Sequence, residues 1–163
     1  MVKRWTWTLL AGVLLLAGLT GCGFQLRGHS QLPFDSAFVE AKGNSSLGKA
    51  LRESLALENK LADKAENATI RVLLAEESRA KSILALSGGG KVREYRLTLR
   101  FLFAVYDAKG RELVAPSEML QVRDYSYNDS ELLAKTVEEA TLYRSMEQNA
   151  LQQVMRRLSF IPR

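Results

Sequence analysis

The chain is poor in the residues from which most catalytic and metal centres are built. It has one cysteine, Cys22, and one histidine, His29. A single cysteine excludes a disulfide within the chain, and a lone histidine beside no second nitrogen or sulfur ligand does not form a zinc set, so neither metal nor cofactor is expected. Three prolines and 11 glycines in 163 residues leave no room for a low-complexity linker. No segment recurs at a fixed period, which argues against a solenoid. Both tryptophans, Trp5 and Trp7, lie at the extreme N-terminus, so the core must be built from Leu, Ile, Val, Phe, Met and Tyr. Neither charge sign dominates: the net charge is +5, and two of the positive residues, Lys3 and Arg4, sit in a segment read below as removable. That field is too weak and too mixed for a nucleic-acid binder, and no nucleic-acid partner is expected. At 47% apolar and 25% charged, the composition is that of one globular domain.

The N-terminus carries the most specific string. Lys3 and Arg4 precede an apolar run from Trp5 to Leu19, which gives way to small residues before Cys22. This is the order of an export signal over residues 1–21, and the run is too short for a bilayer-spanning helix, which needs about 20 apolar residues. The alternative is a short membrane helix kept as an anchor. Leu19-Thr20-Gly21-Cys22 resembles the lipobox of bacterial lipoproteins, in which the cysteine thiol receives the diacylglyceryl group and becomes the new N-terminus. Several acyl chains on Cys22 would make attachment close to permanent, since each buried methylene contributes about 0.8 kcal/mol. Gly23 follows the cysteine, where an aspartate usually retains such proteins at the inner membrane. The expectation is therefore a periplasm-facing domain, residues 22–163, lipid-anchored at the outer membrane.

Periodicity predicts the elements of that domain. Ala37-Phe38-Val39 reads as a strand, and Ser45 or Ser46 caps a helix whose Leu47, Ala50, Leu51, Ser54 and Leu55 share one face, ending near Asn59. From Ala68 the period becomes two, predicting a long or interrupted strand through Leu86, a hairpin at Ser87–Lys91, and a clear strand with Tyr95, Leu97, Leu99, Phe101, Phe103 and Val105 on one face. Asp107–Gly110 turns into a fourth strand over about 113–127, with a bend expected at Pro116, which donates no ladder hydrogen bond. Thr136 and Glu139 fit a capping box for a last helix, with Ala140, Tyr143, Ala150, Leu151, Val154 and Leu158 inward. The expected fold is an α+β two-layer sandwich, two helices packed on one face of a four-stranded, mostly antiparallel sheet.

Candidate sites are surfaces, not a catalytic cleft. Gly88-Gly89-Gly90-Lys91 lacks the following Ser or Thr of a phosphate loop and leads into a strand. Carboxylates adjacent in sequence, Glu76-Glu77 and Glu138-Glu139, point apart on a strand or are solvated on a helix. If Phe101 faces the helices, then Arg71, Arg96 and Arg100 face away. Turning Leu120 and Val122 inward on the fourth strand puts Arg123, Tyr125 and Tyr127 on that same outer face, and arginine beside tyrosine is the composition of a contact surface. A second basic group, Arg79, Lys81, Lys91, Arg93 and Lys135, could meet the phosphates of an anionic lipid.

The opening Cys22-Gly23-Phe24-Gln25-Leu26-Arg27-Gly28 with Pro33, Glu94-Tyr95 entering the long strand, and Leu133-Ala134-Lys135 before the acidic turn resemble the LPS-assembly lipoprotein (LptE) family over nearly all of residues 22–158. Two features depart from it: the hairpin tip Gly88-Gly89-Gly90 lacks the basic residue some relatives carry, and a long polar tail is absent. The resemblance implies two helices against a four-stranded sheet and a plug within an outer-membrane β-barrel partner of the LptD type. It also implies lipopolysaccharide binding, with Lys135 as the carried-over lipid contact and Lys91 and Arg93 beside it. Arg71, Arg96, Arg100, Arg123, Tyr125 and Tyr127 would then meet the barrel. Two competing readings are a secretion-channel pilot or envelope scaffold with the same anchor, and a cell-wall hydrolase using Glu76, Glu77, Glu112 or Asp124.

Overall fold

The computed structural model describes residues 32–162. The signal segment, Cys22 and His29 lie outside the described residues. Elements follow in the order β1 (Ala37–Ala41), α1 (Ser46–Leu57), β2 (Ile70–Leu86), β3 (Val92–Asp107), β4 (Glu112–Ser126) and α2 (Leu132–Ser159), with one-turn 3₁₀ segments at Ala65–Asn67 and Asp129–Glu131. The four strands form one sheet in the order β1-β2-β3-β4. β1 runs parallel to β2, because α1 intervenes as a crossover, while β2, β3 and β4 pair antiparallel through two tight turns. This is the expected α+β sandwich.

Local chemistry sets the boundaries. Ser45 is the N-cap of α1, its hydroxyl accepting from the Gly48 N–H at 2.8 Å. Gly48 is where α1 meets β1: a Cβ there would stand 2.6 Å from the Ala41 Cβ, so the approach needs glycine. Gly90 and Gly110 supply the positive φ of the two hairpin turns. The core joins Leu47, Leu51 and Leu55 of α1, Ile70, Val72 and Leu74 of β2, Leu97, Leu99, Phe101, Phe103 and Val105 of β3, and Met146, Ala150, Val154 and Leu158 of α2.

Three expectations are corrected. α2 starts at Leu132, four residues before the supposed cap; the Thr136 hydroxyl donates to the Leu132 carbonyl within the helix, so no capping box forms. Met146 takes the inward place expected of Ala140, which is exposed. On β4 the faces are the reverse of those read from the aliphatic residues. Met119 and Tyr125 are buried and Leu120 is 53% exposed, because β4 is in register with β3 and its Gln121 and Tyr125 lie opposite the inward Leu99 and Tyr95.

A β-bulge divides β2. Register shifts between Ala75 and Ser78, and Glu76 adopts φ 54°, a left-handed conformation uncommon for glutamate. Before the bulge the helix-facing row is Ile70, Val72 and Leu74; after it, Arg79, Lys81 and Ile83 lie opposite Leu99, Leu97 and Tyr95. One extra residue has turned two cations toward α2.

Candidate functional site

The open face of the sheet carries three of the expected arginines, each beside an acidic side chain. Arg96 and Asp124 face each other across β3 and β4 and form a bidentate pair, both N···O distances being 2.8 Å. The hydrogen bonds from Arg96 hold the Asp124 carboxyl below the usual carboxylate range, and Asp124 in turn raises the guanidinium. Arg100 lies 3.8 Å from Glu118. Arg71 is 3.5 Å from Glu40 and stacks over the Tyr106 ring at 5.3 Å. The other three predicted members are elsewhere. Arg123, opposite Leu97, belongs to the helix-side row and is exposed. Tyr125 is buried against α2, and Tyr127, just beyond β4, packs on the core from the same side.

Those tyrosines belong to a second constellation that sequence reasoning missed. The Lys81 ammonium lies 4.1 Å from the Tyr95 ring centre, 5.8 Å from that of Tyr125 and 5.9 Å from that of Tyr127. It donates to the Glu139 carboxylate at 2.6 Å, and that oxygen also accepts the Tyr125 hydroxyl at 2.9 Å. Burial disfavours the charge on Lys81, but Glu139 and Tyr125 outweigh it and raise the lysine pKa. Burial likewise opposes the Glu139 charge, yet Lys81 and Tyr125 hold it below its ordinary value. For Tyr125, burial itself pushes the phenol upward, assisted by Glu139. Two residues along, Arg79 pairs with Glu147 and lies 5.4 Å from the Tyr143 ring centre. The Tyr143 hydroxyl donates to the Ala80 carbonyl at 2.9 Å. Arg79 and Lys81 are thus committed to α2 and are not a free pair of lipid-facing cations. The signal that could have found this is the doublet Glu76-Glu77, which interrupts the alternation of β2.

The remaining basic residues surround the end of the sheet nearest the β2–β3 hairpin. Lys91 and Arg93 are exposed where the hairpin enters β3. Lys135, in the first turn of α2, is paired with Glu138 at 2.9 Å and reaches Ser126 at 3.5 Å, leaving its side chain 13% exposed. Elsewhere, the Glu77 carboxylate accepts from Ser45 and Ser46 at the start of α1, at 2.5 and 3.0 Å. These contacts line a polar depression of about 390 Å³. Glu77 therefore works on the helix side while Asp124 is on the open face, so these two candidate carboxylates are not brought together. Among the described residues, no group of three His, Cys, Asp or Glu could hold a metal ion, and no helix is long and apolar enough to cross a membrane.

Fold and side chains together define a small two-layer α+β protein with ion pairs on both faces of its sheet. A model of the LptE family, described as lipopolysaccharide-assembly, matches residues 34–158. The LPS-assembly lipoprotein LptE of Photorhabdus laumondii is 30% identical over 155 residues, covering 93% of this chain and 84% of that protein. Its counterpart in Pectobacterium atrosepticum is 30% identical over 158 residues, covering 93% and 83%. The solution structure of lipoprotein B from Nitrosomonas europaea superposes with a TM-score of 0.74 at 34% identity, covering 84% of this chain and 90% of that one. The chain belongs to the LptE family.

Proposed function

We propose that this chain is an LPS-assembly lipoprotein: a non-enzymatic plug for an outer-membrane β-barrel of the LptD type, which it helps to assemble and through which it assists lipopolysaccharide to the outer leaflet. The observation that carries the reading is the family match across residues 34–158, joined by relatives that align over 93% of the chain and are named LPS-assembly lipoproteins. On this reading residues 1–21 are removed, Cys22 carries the lipid, and 22–163 form one periplasm-facing domain at the outer membrane. The open face with Arg71, Arg96 and Arg100 meets the barrel lumen, which is polar and partly wet. Arg123 adds to that contact from the rim of β4, whereas Tyr125 and Tyr127 act from within by supporting the sheet. Lys91, Arg93 and Lys135 meet lipid phosphates at the hairpin end, where guanidinium and ammonium groups make charge-assisted bonds.

Extraction of outer membranes in mild detergent tests the whole. The expected result is recovery of the chain with a large β-barrel protein and with Cys22 acylated. Recovery as a free, unmodified monomer overturns the reading. Lys135→Glu separates the two surfaces: lipopolysaccharide binding weakens while the barrel is still retained. Unchanged lipid binding removes Lys135 from the site.

A further inference from the structure

The two halves of α2 are held to the sheet by different physics. From Met146 onward, Met146, Ala150, Val154 and Leu158 are fully buried against the apolar core. Before it, the helix presents Glu139 and Tyr143 to the sheet, while Leu132, Leu133 and Val137 are 57%, 84% and 66% exposed. Its polar contacts are with the hairpin half of the sheet: Lys81 to Glu139, Tyr125 to Glu139, the Ala80 carbonyl to Tyr143, and Ser126 to Lys135; apolar packing on the core begins only at Leu142 and Tyr143. The lysine and glutamate of the central pair retain 35% and 25% exposure, so water and salt reach them. Polar contacts of that kind hold a segment by far less than a row of fully buried aliphatic side chains, and segments so held open on their own.

We propose that the first turns of α2, residues 132–141, form a lid that lifts from the hairpin half of the sheet while the rest of the molecule stays folded, with Lys81 as its latch. Lifting breaks the Lys81–Glu139 and Tyr125–Glu139 bonds together, because one carboxylate oxygen serves both. It uncovers a platform of Tyr95, Tyr125 and Tyr127 with the ammonium of Lys81 above it. The hinge falls at Leu142 and Tyr143, the first side chains of α2 that pack against the apolar core. The bulge is the device's origin: it alone brings Lys81 to the side on which α2 lies. Salt acts on the latch directly, since the screening length falls from about 10 Å at 0.1 M to about 3 Å at 1 M ionic strength.

Amide hydrogen exchange on the full chain, resolved along α2 and compared at about 0.1 M and 1 M NaCl, tests the proposal. Amides of residues 136–141 are expected to exchange about three- to fivefold faster at high salt, with those of 147–158 unchanged. Lys81→Met, which keeps most of the apolar stem and removes the charge, gives the fast pattern already at low salt and no longer responds to salt. Glu139→Gln does the same from the other side, and Lys81→Arg restores slow exchange. Uniform exchange along the whole helix, or a Lys81→Met variant indistinguishable from the wild type, overturns the lid.

Discussion

The base of the sandwich and its hairpin arm are made from the same three strands but face α2 with opposite chemistry. In the base, Ile70, Val72 and Leu74 continue the apolar layer begun by Val39 and Leu51; in the arm, Arg79 and Lys81 occupy the same row and meet glutamates. The strand does not change in kind at that point. It gains a residue at Glu76-Glu77, and a period of two turns one insertion into an exchange of faces. The difference teaches that the polar character of the arm belongs to register, not to composition.

The sharpest test of this contrast is a pair of truncations. Phe101→Ala empties a fully buried position in the base and is expected to cost about 3–5 kcal/mol. Lys81→Met in the arm is expected to cost at most about 1 kcal/mol, because the pair is partly solvated. Chemical denaturation of both variants reads the two values, and equal losses would erase the distinction. Gly48→Ala comes next, at about 1–3 kcal/mol, since the added methyl must displace α1 from Ala41. A smaller change is expected at the bulge: Glu76→Gly removes the penalty of a left-handed glutamate and leaves stability unchanged or raised by up to about 1 kcal/mol. A loss well beyond that would mean the Glu76 side chain, not its backbone, holds the bulge.

Acid offers a fourth comparison. Glu139 is held below its usual value of 4.5 in the folded chain. Its contribution is therefore present above that pH and is lost as pH falls through the depressed folded value. Protection of the amides of residues 136–141, measured against the intrinsic rate at each pH, should fall below about pH 4.5, before that of the base does, and Glu139→Gln should flatten that dependence. The groups sharing this environment are Lys81, Arg79, Tyr125 and Tyr143; Lys81, held above its ordinary value, keeps its charge throughout, and the two phenols, pushed upward, stay neutral.

The sequence made the strands, hairpins and first helix legible because each has a clean signal: Ser45 before an apolar stripe, alternation in β3, and glycines at both turns. β4 was misread for a definite reason. Apolar residues occur on both of its sides, Met119 inward and Leu120 and Val122 outward, while the inward Gln121 is polar. Only pairing with β3 decides between them. The start of α2 was misread because Thr136 and Glu139 have capping spacing but lie one turn inside the helix, where Glu139 serves Lys81 instead. The Lys81 cage was hard to read since its members come from β2, β3, β4, α2 and the chain following β4, and the bulge that assembles them is announced only by the Glu76-Glu77 doublet, with no glycine beside it.

The ion pairs of the open face change how substitutions there should be interpreted. Replacing Arg96 by alanine does more than delete a possible contact with a neighbour: it leaves Asp124 as a bare negative group on an exposed strand, able to repel an acidic partner that the intact pair would have tolerated. Damage from the single change can thus come from the residue left behind. Removing Arg96 and Asp124 together distinguishes these causes: recovery in the double variant assigns the defect to the stranded carboxylate, and persistence assigns it to the missing arginine.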